Sequence, residues 1–100
     1  MKKKNKDLWG KKNKELWDFD YTIAKFILPR LKTFRKVTDS YPSDFKSLKS
    51  WKKTLKKMII AFELTISMID NHDIEDYKIR QKKIKKGLRL FGKYFEALWL

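Results

Sequence analysis

The feature that most constrains the fold is a run of apolar residues at intervals of three and four along the middle of the chain. It comprises Leu48, Trp51, Leu55, Met58, Phe62, Ile66 and Ile69. This spacing places all of them on one face of an α-helix. Further apolar residues on the other faces of its second half predict that this half is the buried centre of the domain. With Ser47 as the N-cap, the pattern predicts a helix from about Ser47 to Ile69.

A second helical pattern precedes this segment. Helical spacing relates Asp20, Ile23, Ala24, Ile27, Leu31 and Phe34. We predict that this helix begins between Leu16 and Asp20, with Asp18 as its N-cap. Pro29 lies inside the pattern, and because proline removes a backbone donor and clashes with the preceding turn, we expect a kink or a short break there. The polar segment Thr38–Asp44 predicts the following loop.

A third helical pattern follows the polar turn at Asp70–Asp73, with Asp73 as the predicted N-cap. Its apolar stripe comprises Ile74, Tyr77, Ile84, Leu88, Phe91, Phe95 and Leu98. Glycine is a weak helix former, so Gly87 and Gly92 either weaken this helix or permit close packing against a neighbour.

Three helices with short connections predict an all-α fold, a compact bundle of three main helices whose first member is kinked or split at Pro29. We expect residues 1–14, which hold seven lysines, to form a flexible basic arm and residues 15–100 to form a single helical domain. Trp51 and Trp99 are assigned to the core, which would pin the C-terminal residues. The predicted shared core comprises Leu55, Met58, Phe62, Ile66, Ile84, Leu88, Phe91 and Phe95.

The chain carries 26 basic and 12 acidic residues, a formal net charge of +14. Such a charge raises association rates with nucleic acid, anionic lipid or an acidic protein surface, although a lysine-rich composition need not reflect any specific partner. Cysteine is absent, which excludes disulfides and thiolate zinc sites. The longest nearly apolar run, Met58–Ile69, is too short for a transmembrane helix, and the N-terminus has no signal-peptide pattern. We therefore expect a soluble, cytoplasmic protein.

Patterns for catalysis or metal binding are weak. His72 is the only histidine and has no partner nucleophile, so we interpret it as a solvated turn residue and expect no enzymatic activity and no cofactor. The acids beside it lack the spacing and the glycine of a calcium loop. Three other acids lie in apolar contexts but lack the Glu-x-x-His companion of a bundle-core metal site. These acids are Asp20, Glu63 and Glu96. We expect each of them to pair with a lysine or arginine or to be exposed at the edge of its helix stripe, and a buried polar cluster of the three stays an open alternative.

The third predicted helix carries the best functional signal. At 100° per residue, six basic side chains fall on one stripe opposite Ile84 and Leu88. They are Lys78, Lys82, Lys85, Lys86, Arg89 and Lys93. No acid interrupts the basic residues from Lys78 to Arg89, whereas a merely solvated face usually mixes both signs. We predict that this stripe binds an anionic partner, with nucleic acid as the first candidate.

Several short segments form one pattern along the chain: Trp17-x-Phe19-Asp20-Tyr21 with Ala24-Lys25, Tyr41-Pro42, Trp51, Ala61-Phe62-Glu63, Gly87-Leu88, Phe91-x-Lys93-Tyr94-Phe95 and Leu98-Trp99. In these segments the chain resembles a family of small proteins encoded by bacteriophages. The resemblance covers nearly the whole chain after the basic arm. It implies a bacteriophage context, and so the host cytoplasm, but no mechanism. The lysine-rich second and third helices depart from the family, whose members are more acidic there.

Two hypotheses of function follow from these patterns. The first is a non-catalytic phage accessory protein that binds nucleic acid, or a host nucleoprotein complex, through the basic helical stripe. The second is a helical inhibitor or adaptor that binds a host protein, for example a defence-system or transcription component, which is an analogy only. A basic amphipathic protein on a membrane surface is a weaker third option.

Overall fold

A computed structural model describes residues 14–70 and 77–100 of the chain. A 3-10 turn at Lys14–Leu16 precedes helix α1, which spans Phe19–Val37. Helix α2 spans Leu48–Asp70 and helix α3 spans Tyr77–Lys93. A second 3-10 turn, Phe95–Ala97, follows. No strand occurs in the described ranges, so the predicted all-α fold with three main helices is confirmed. The basic arm lies outside these ranges, apart from Lys14.

The first two helices begin directly after their predicted N-cap residues, but only one of these residues makes a capping hydrogen bond. Helix α1 starts directly after Asp18, but the Asp18 side chain makes no capping hydrogen bond. Helix α2 starts directly after Ser47, whose Oγ accepts a hydrogen bond from the Ser50 backbone N–H at 3.1 Å. Ser47 is therefore the N-cap in the predicted sense, since its side chain satisfies a backbone donor that the helix leaves unpaired. The predicted cap of α3, Asp73, lies outside the described residues.

Pro29 does not break the first helix. Helix α1 is continuous from Phe19 to Val37, so the predicted break or split at Pro29 is wrong. The proline ring removes only the N–H that would bond to the carbonyl of Lys25. Both Lys25 and Pro29 are exposed, so the missing hydrogen bond falls on the side of the helix that water reaches.

Helix α2 is the centre of the bundle. Helices α1 and α3 each pack against α2, whereas no Cα atom of α1 lies within 8 Å of a Cα atom of α3 among the described residues. The main buried cluster joins α1 to α2 and comprises Ala24, Leu31, Trp51, Leu55, Met58, Ile59 and Phe62. The predicted central position of this helix is confirmed, but the prediction that its second half is the buried centre is only partly right. Its fully buried residues run from Trp51 to Phe62, whereas residues 63–68 are partly buried.

The predicted core is confirmed in part and is wrong at Leu88 and Phe95. Leu55, Met58, Phe62 and Ile84 are buried as predicted. Ile66 and Phe91 are only partly buried, and two members of the predicted core are largely exposed: Leu88 at 42% and Phe95 at 61%. Leu88 lies at the edge of the buried face of α3. Phe95 lies in the 3-10 turn after α3 has ended, so it no longer follows the stripe that its spacing implied.

Of the two tryptophans predicted to lie in the core, one is buried and the other is exposed. Trp51 is 1% exposed, as predicted, whereas Trp99 is 73% exposed and does not anchor the C-terminal residues. Tyr94 takes that role, because its ring centroid lies 5.6 Å from that of Trp51 and 5.0 Å from that of Phe45. The Tyr94 hydroxyl also donates a hydrogen bond to Asp44 Oδ2 at 2.9 Å. This contact fixes the end of α3 against the loop between α1 and α2.

Gly87 permits close packing, whereas Gly92 does not require it. A Cβ atom at Gly87 would overlap Ala61 Cβ and lie 2.5 Å from the carbonyl oxygen of Lys57, so the backbones of α2 and α3 touch at this point. A Cβ atom at Gly92 would meet no atom within 4 Å. Of the two glycines in the described ranges, Gly87 alone therefore has a structural reason for the absence of a side chain.

None of the described helices is long and apolar enough to cross a bilayer.

Candidate anion-binding surfaces

All six residues of the predicted basic stripe are exposed on α3, and we call them the α3 stripe: Lys78, Lys82, Lys85, Lys86, Arg89 and Lys93. The buried residues of α3 are Arg80, Ile84 and Gly87. At 100° per residue they lie on the opposite side of the helix, so the α3 stripe points away from α2. At about 1.5 Å of rise per residue, the stripe is about 22 Å long.

The charges of the α3 stripe are largely uncompensated within the described chain. Like charges recur at a spacing of four residues, and each such pair destabilises a helix by about 0.2–0.5 kcal/mol. Lys93 Nζ lies 5.4 Å from the centroid of the Tyr94 ring. Within the stripe, four further side chains make no ion pair to any described residue: Lys82, Lys85, Lys86 and Arg89. The helix tolerates this repulsion because its buried face, and not its charged face, holds it in place.

One basic residue of α3 is not part of the stripe. Arg80 is 7% exposed and lies on the side of α3 that faces α2. Arginine is seldom buried, so the local sequence predicts that Arg80 is exposed like its neighbours Lys78 and Lys82. Only the packing of α3 against α2 shows that it is buried.

The structure brings together a second basic surface that the sequence analysis missed. It is an open groove of about 530 Å³ between α1 and α2, which we call the α1–α2 groove. Ile59 and Thr33 contribute to its walls. Five cationic side chains and one carboxylate complete the lining: Lys32, Arg35, Lys36, Lys52, Lys56 and Glu63.

Two contacts organise the charges of the α1–α2 groove. Arg35 Nε donates a hydrogen bond to the backbone carbonyl of Lys52 at 2.9 Å, which ties α1 to α2. Lys32 Nζ lies 3.3 Å from Glu63 Oε2, and both side chains are substantially exposed. Within the described ranges, the side chains of Lys36 and Lys52 have no carboxylate partner, and neither has Lys56.

The sequence contains only part of the signal for this groove. Lys52 and Lys56 are four residues apart and therefore share one face of α2. Lys32 and Lys36 have the same relation on α1. Nothing in either segment indicates that these two pairs face each other, because that depends on how α1 is rotated and shifted against α2.

An apolar cleft lies on another side of the bundle, between α1 and the C-terminal part of the chain. We call it the α1–α3 cleft; its lining comprises Phe26, Ile27, Arg30, Leu31, Phe34, Phe91 and Leu98. Phe26 is 60% exposed, and the Arg30 guanidinium carbon lies 3.8 Å from the centroid of its ring. Neighbouring large apolar side chains, such as Phe19 and Ile23 on α1, are exposed as well. An exposed apolar surface of this kind often marks a docking site.

The acids considered as metal ligands are not brought together. Asp20 and Glu96 are exposed, and Glu63 is paired with Lys32. In residues 14–70 and 77–100, no three His, Cys, Asp or Glu residues are grouped closely enough to hold a metal ion. Asp70 is the last residue of α2, whereas His72, Asp73, Glu75 and Asp76 lie in the part of the chain that the structure does not describe.

No protein-family model matches this chain, and no curated protein or solved structure matches it either. The candidate surfaces are therefore assigned from the chemistry and geometry of their own residues. The resemblance to bacteriophage-encoded proteins stays a prediction.

Proposed function

We propose that this protein is a non-catalytic accessory protein, of bacteriophage context, that binds the phosphate backbone of nucleic acid through the α3 stripe. The partner is nucleic acid itself or a nucleic-acid-bearing host complex. The observation that supports the proposal most directly is the exposure of all six stripe cations on one side of a single helix. A net charge of +14 adds long-range attraction to any polyanion.

The length of the α3 stripe suits a nucleic-acid backbone. Phosphates on one DNA strand lie about 3.4 Å apart along the helix axis, so a stripe of about 22 Å meets several of them. Lysine and arginine contacts to phosphates fix position and carry little sequence information. Binding is therefore expected to be non-specific, with a log–log salt slope of about −3 to −5 if four to six phosphates are neutralised.

Fluorescence anisotropy with a labelled oligonucleotide at two salt concentrations tests this proposal. Replacing Lys82, Lys86 and Arg89 by Glu is expected to abolish binding while circular dichroism stays unchanged. The matched control changes the net charge by the same amount. It replaces by Glu three exposed lysines that lie outside both basic surfaces: Lys25, Lys46 and Lys49. An equal loss in both variants would show that binding follows net charge and not the stripe. Failure of the wild-type protein to bind at low salt would refute the proposal.

The α1–α3 cleft favours a second candidate, an inhibitor or adaptor that binds a protein partner. Its apolar walls suit the apolar face of an amphipathic helix, and the net charge of +14 favours acidic residues on the flanks of that helix. A second copy of this chain is a poor occupant, because two chains of that charge repel each other.

Replacement of Phe26 by Asp distinguishes the two candidates. Phe26 is exposed at the cleft, so the substitution removes an apolar contact without opening the core. If the protein acts through a protein partner, a stable complex isolated after nuclease treatment is lost in Phe26→Asp and retained in the α3-stripe variant. If it acts through nucleic acid, no complex survives nuclease treatment, and oligonucleotide binding is retained in Phe26→Asp and lost in the α3-stripe variant.

A further inference from the structure

We propose that the α1–α2 groove is a second anion site, separate from the α3 stripe, and that it binds the phosphate groups of a polyphosphate chain or of a phosphorylated nucleic-acid end. The groove lies on the opposite flank of α2 from α3, so its ligand does not need to touch the stripe. The two surfaces also differ in form. The stripe is a convex row of charges, whereas the groove is concave and is lined by both of its helices.

Arg35 is the residue that gives the groove directional chemistry. Its Nε is used in the hydrogen bond to the Lys52 carbonyl, which holds the guanidinium between the two helices. Its two terminal nitrogens make no hydrogen bond to any described residue. A planar guanidinium held by Nε in this way presents a fork of donors that matches two oxygens of a phosphate group.

The lysines of the groove supply charge from both sides of this guanidinium. Lys36 extends from α1, and Lys52 and Lys56 extend from α2. A concave surface with one sign of charge and protein walls focuses the electric field more strongly than a flat surface does. Ile59, which is 3% exposed, provides an apolar wall behind these charges. An anion in the groove would therefore interact with several cations at once, in a partly desolvated setting.

The size of the groove indicates more than one phosphate group. Its volume is about 530 Å³, and cations from both helices border this space. A single phosphate ion fills only a small part of that space. A chain of linked phosphates, or a terminal phosphate followed by a nucleotide, uses the volume and reaches the cations of both helices.

Glu63 limits the affinity of this site. Its carboxylate lies at the groove and engages Lys32, so one cation is neutralised and one negative charge repels any incoming phosphate. Removing this charge is therefore expected to strengthen phosphate binding, which is a gain of function that a misfolded variant would not show. Gln retains the shape and hydrogen-bonding capacity of Glu, so Glu63→Gln is the suitable substitution.

Calorimetric titration with inorganic tripolyphosphate at about 0.15 M salt tests the site. The groove variant replaces Lys36, Lys52 and Lys56 by Gln, which leaves the Lys52 carbonyl that Arg35 requires. We expect it to bind about tenfold more weakly than the wild type, whereas a variant with Gln at Lys82, Lys86 and Arg89 stays within about twofold. Glu63→Gln is expected to bind a few-fold more tightly.

The opposite pattern would overturn the proposal. Tripolyphosphate that fails to bind the wild type, or that binds the groove variant and the wild type equally well, excludes the site. A loss confined to the α3-stripe variant also excludes it, and would leave the proposed function standing. Loss of oligonucleotide binding in the stripe variant, with tripolyphosphate binding intact, would in turn support both assignments separately.

Two oligonucleotides that differ only in a 5′-phosphate identify the source of the phosphate. If the wild type prefers the phosphorylated strand and the groove variant loses that preference, the groove binds nucleic-acid ends. If the wild type shows no preference while tripolyphosphate still binds in the groove, its ligand is a small polyphosphate. Either result supports a phosphate site in the groove. If the groove variant keeps the preference for the phosphorylated strand, the groove is not the site that binds nucleic-acid ends.

Discussion

The two flanks of helix α2 are built differently. On the flank that faces α3, the backbones approach so closely at Gly87 that no Cβ atom fits beside Ala61. The rings of Phe62 and Phe91 pack edge to face on this flank, with centroids 5.1 Å apart. On the flank that faces α1, the buried cluster is bordered by an open groove lined with charged side chains. The α2–α3 contact brings two backbones together at Gly87, whereas the α1–α2 contact leaves a groove along its border.

The difference shows how side-chain length determines what an interface between helices can hold. Where a glycine meets an alanine, the helices approach until their backbones touch and no space remains for a ligand. Where long lysine and arginine side chains border the contact, their aliphatic stems cover apolar surface while their charged ends stay in water. The ends of Lys36 and Lys56 then line a groove and do not fill it.

The largest expected effect is the loss of the Phe62 ring, which belongs to the buried cluster of α1 and α2 and also packs against Phe91 of α3. Phe62 is 4% exposed, so Phe62→Ala is expected to lower the free energy of unfolding by about 3–5 kcal/mol. Phe26→Ala on α1 is the matched control, because Phe26 is 60% exposed and should cost about 1 kcal/mol or less. Chemical denaturation monitored by circular dichroism measures both. Similar losses in the two variants would remove the distinction between a buried and an open region.

A second prediction concerns the glycine contact itself. Gly87→Ala forces a methyl group against Ala61 and the Lys57 carbonyl, and this overpacking should cost about 1–3 kcal/mol. Gly92→Ala, on the same helix, meets open space and should be neutral or stabilising by up to about 1 kcal/mol. Thermal unfolding of both variants decides the matter. If Gly87→Ala is as stable as Gly92→Ala, the helices are not in backbone contact.

The smallest expected effect lies on the α1 flank. The Lys32–Glu63 ion pair is substantially exposed, so breaking it should lower the free energy of unfolding by only about 0.2–1 kcal/mol. A double-mutant cycle with Lys32→Gln and Glu63→Gln measures the coupling directly. The coupling should fall further at high salt, because exposed charges are screened. A coupling as large as the Phe62→Ala loss would show that this flank is tightly closed as well.

Particular residues show how far the sequence alone could go. The apolar spacing along Leu48–Asp70, together with Ser47 before it, was sufficient to predict α2, its N-cap and its central position. The same reasoning gave the exposed α3 stripe, because residues on one face of a helix are fixed by the helical repeat. Leu88 was predicted to be buried but lies at the edge of the buried face of α3. Phe95 and Trp99 were placed wrongly because the predicted third helix extended beyond Lys93, where the structure ends it.

What the sequence by itself determined is therefore local: which segments form helices, which side chains share a face, and the charge that the chain carries. Periodicity and net charge contain this information because they depend only on order along the chain. The tertiary structure decided the close contact at Gly87, the burial of Arg80 and the meeting of Arg35 with Lys52. These depend on the rotation and shift of one helix against another, which are fixed by packing between residues far apart in sequence.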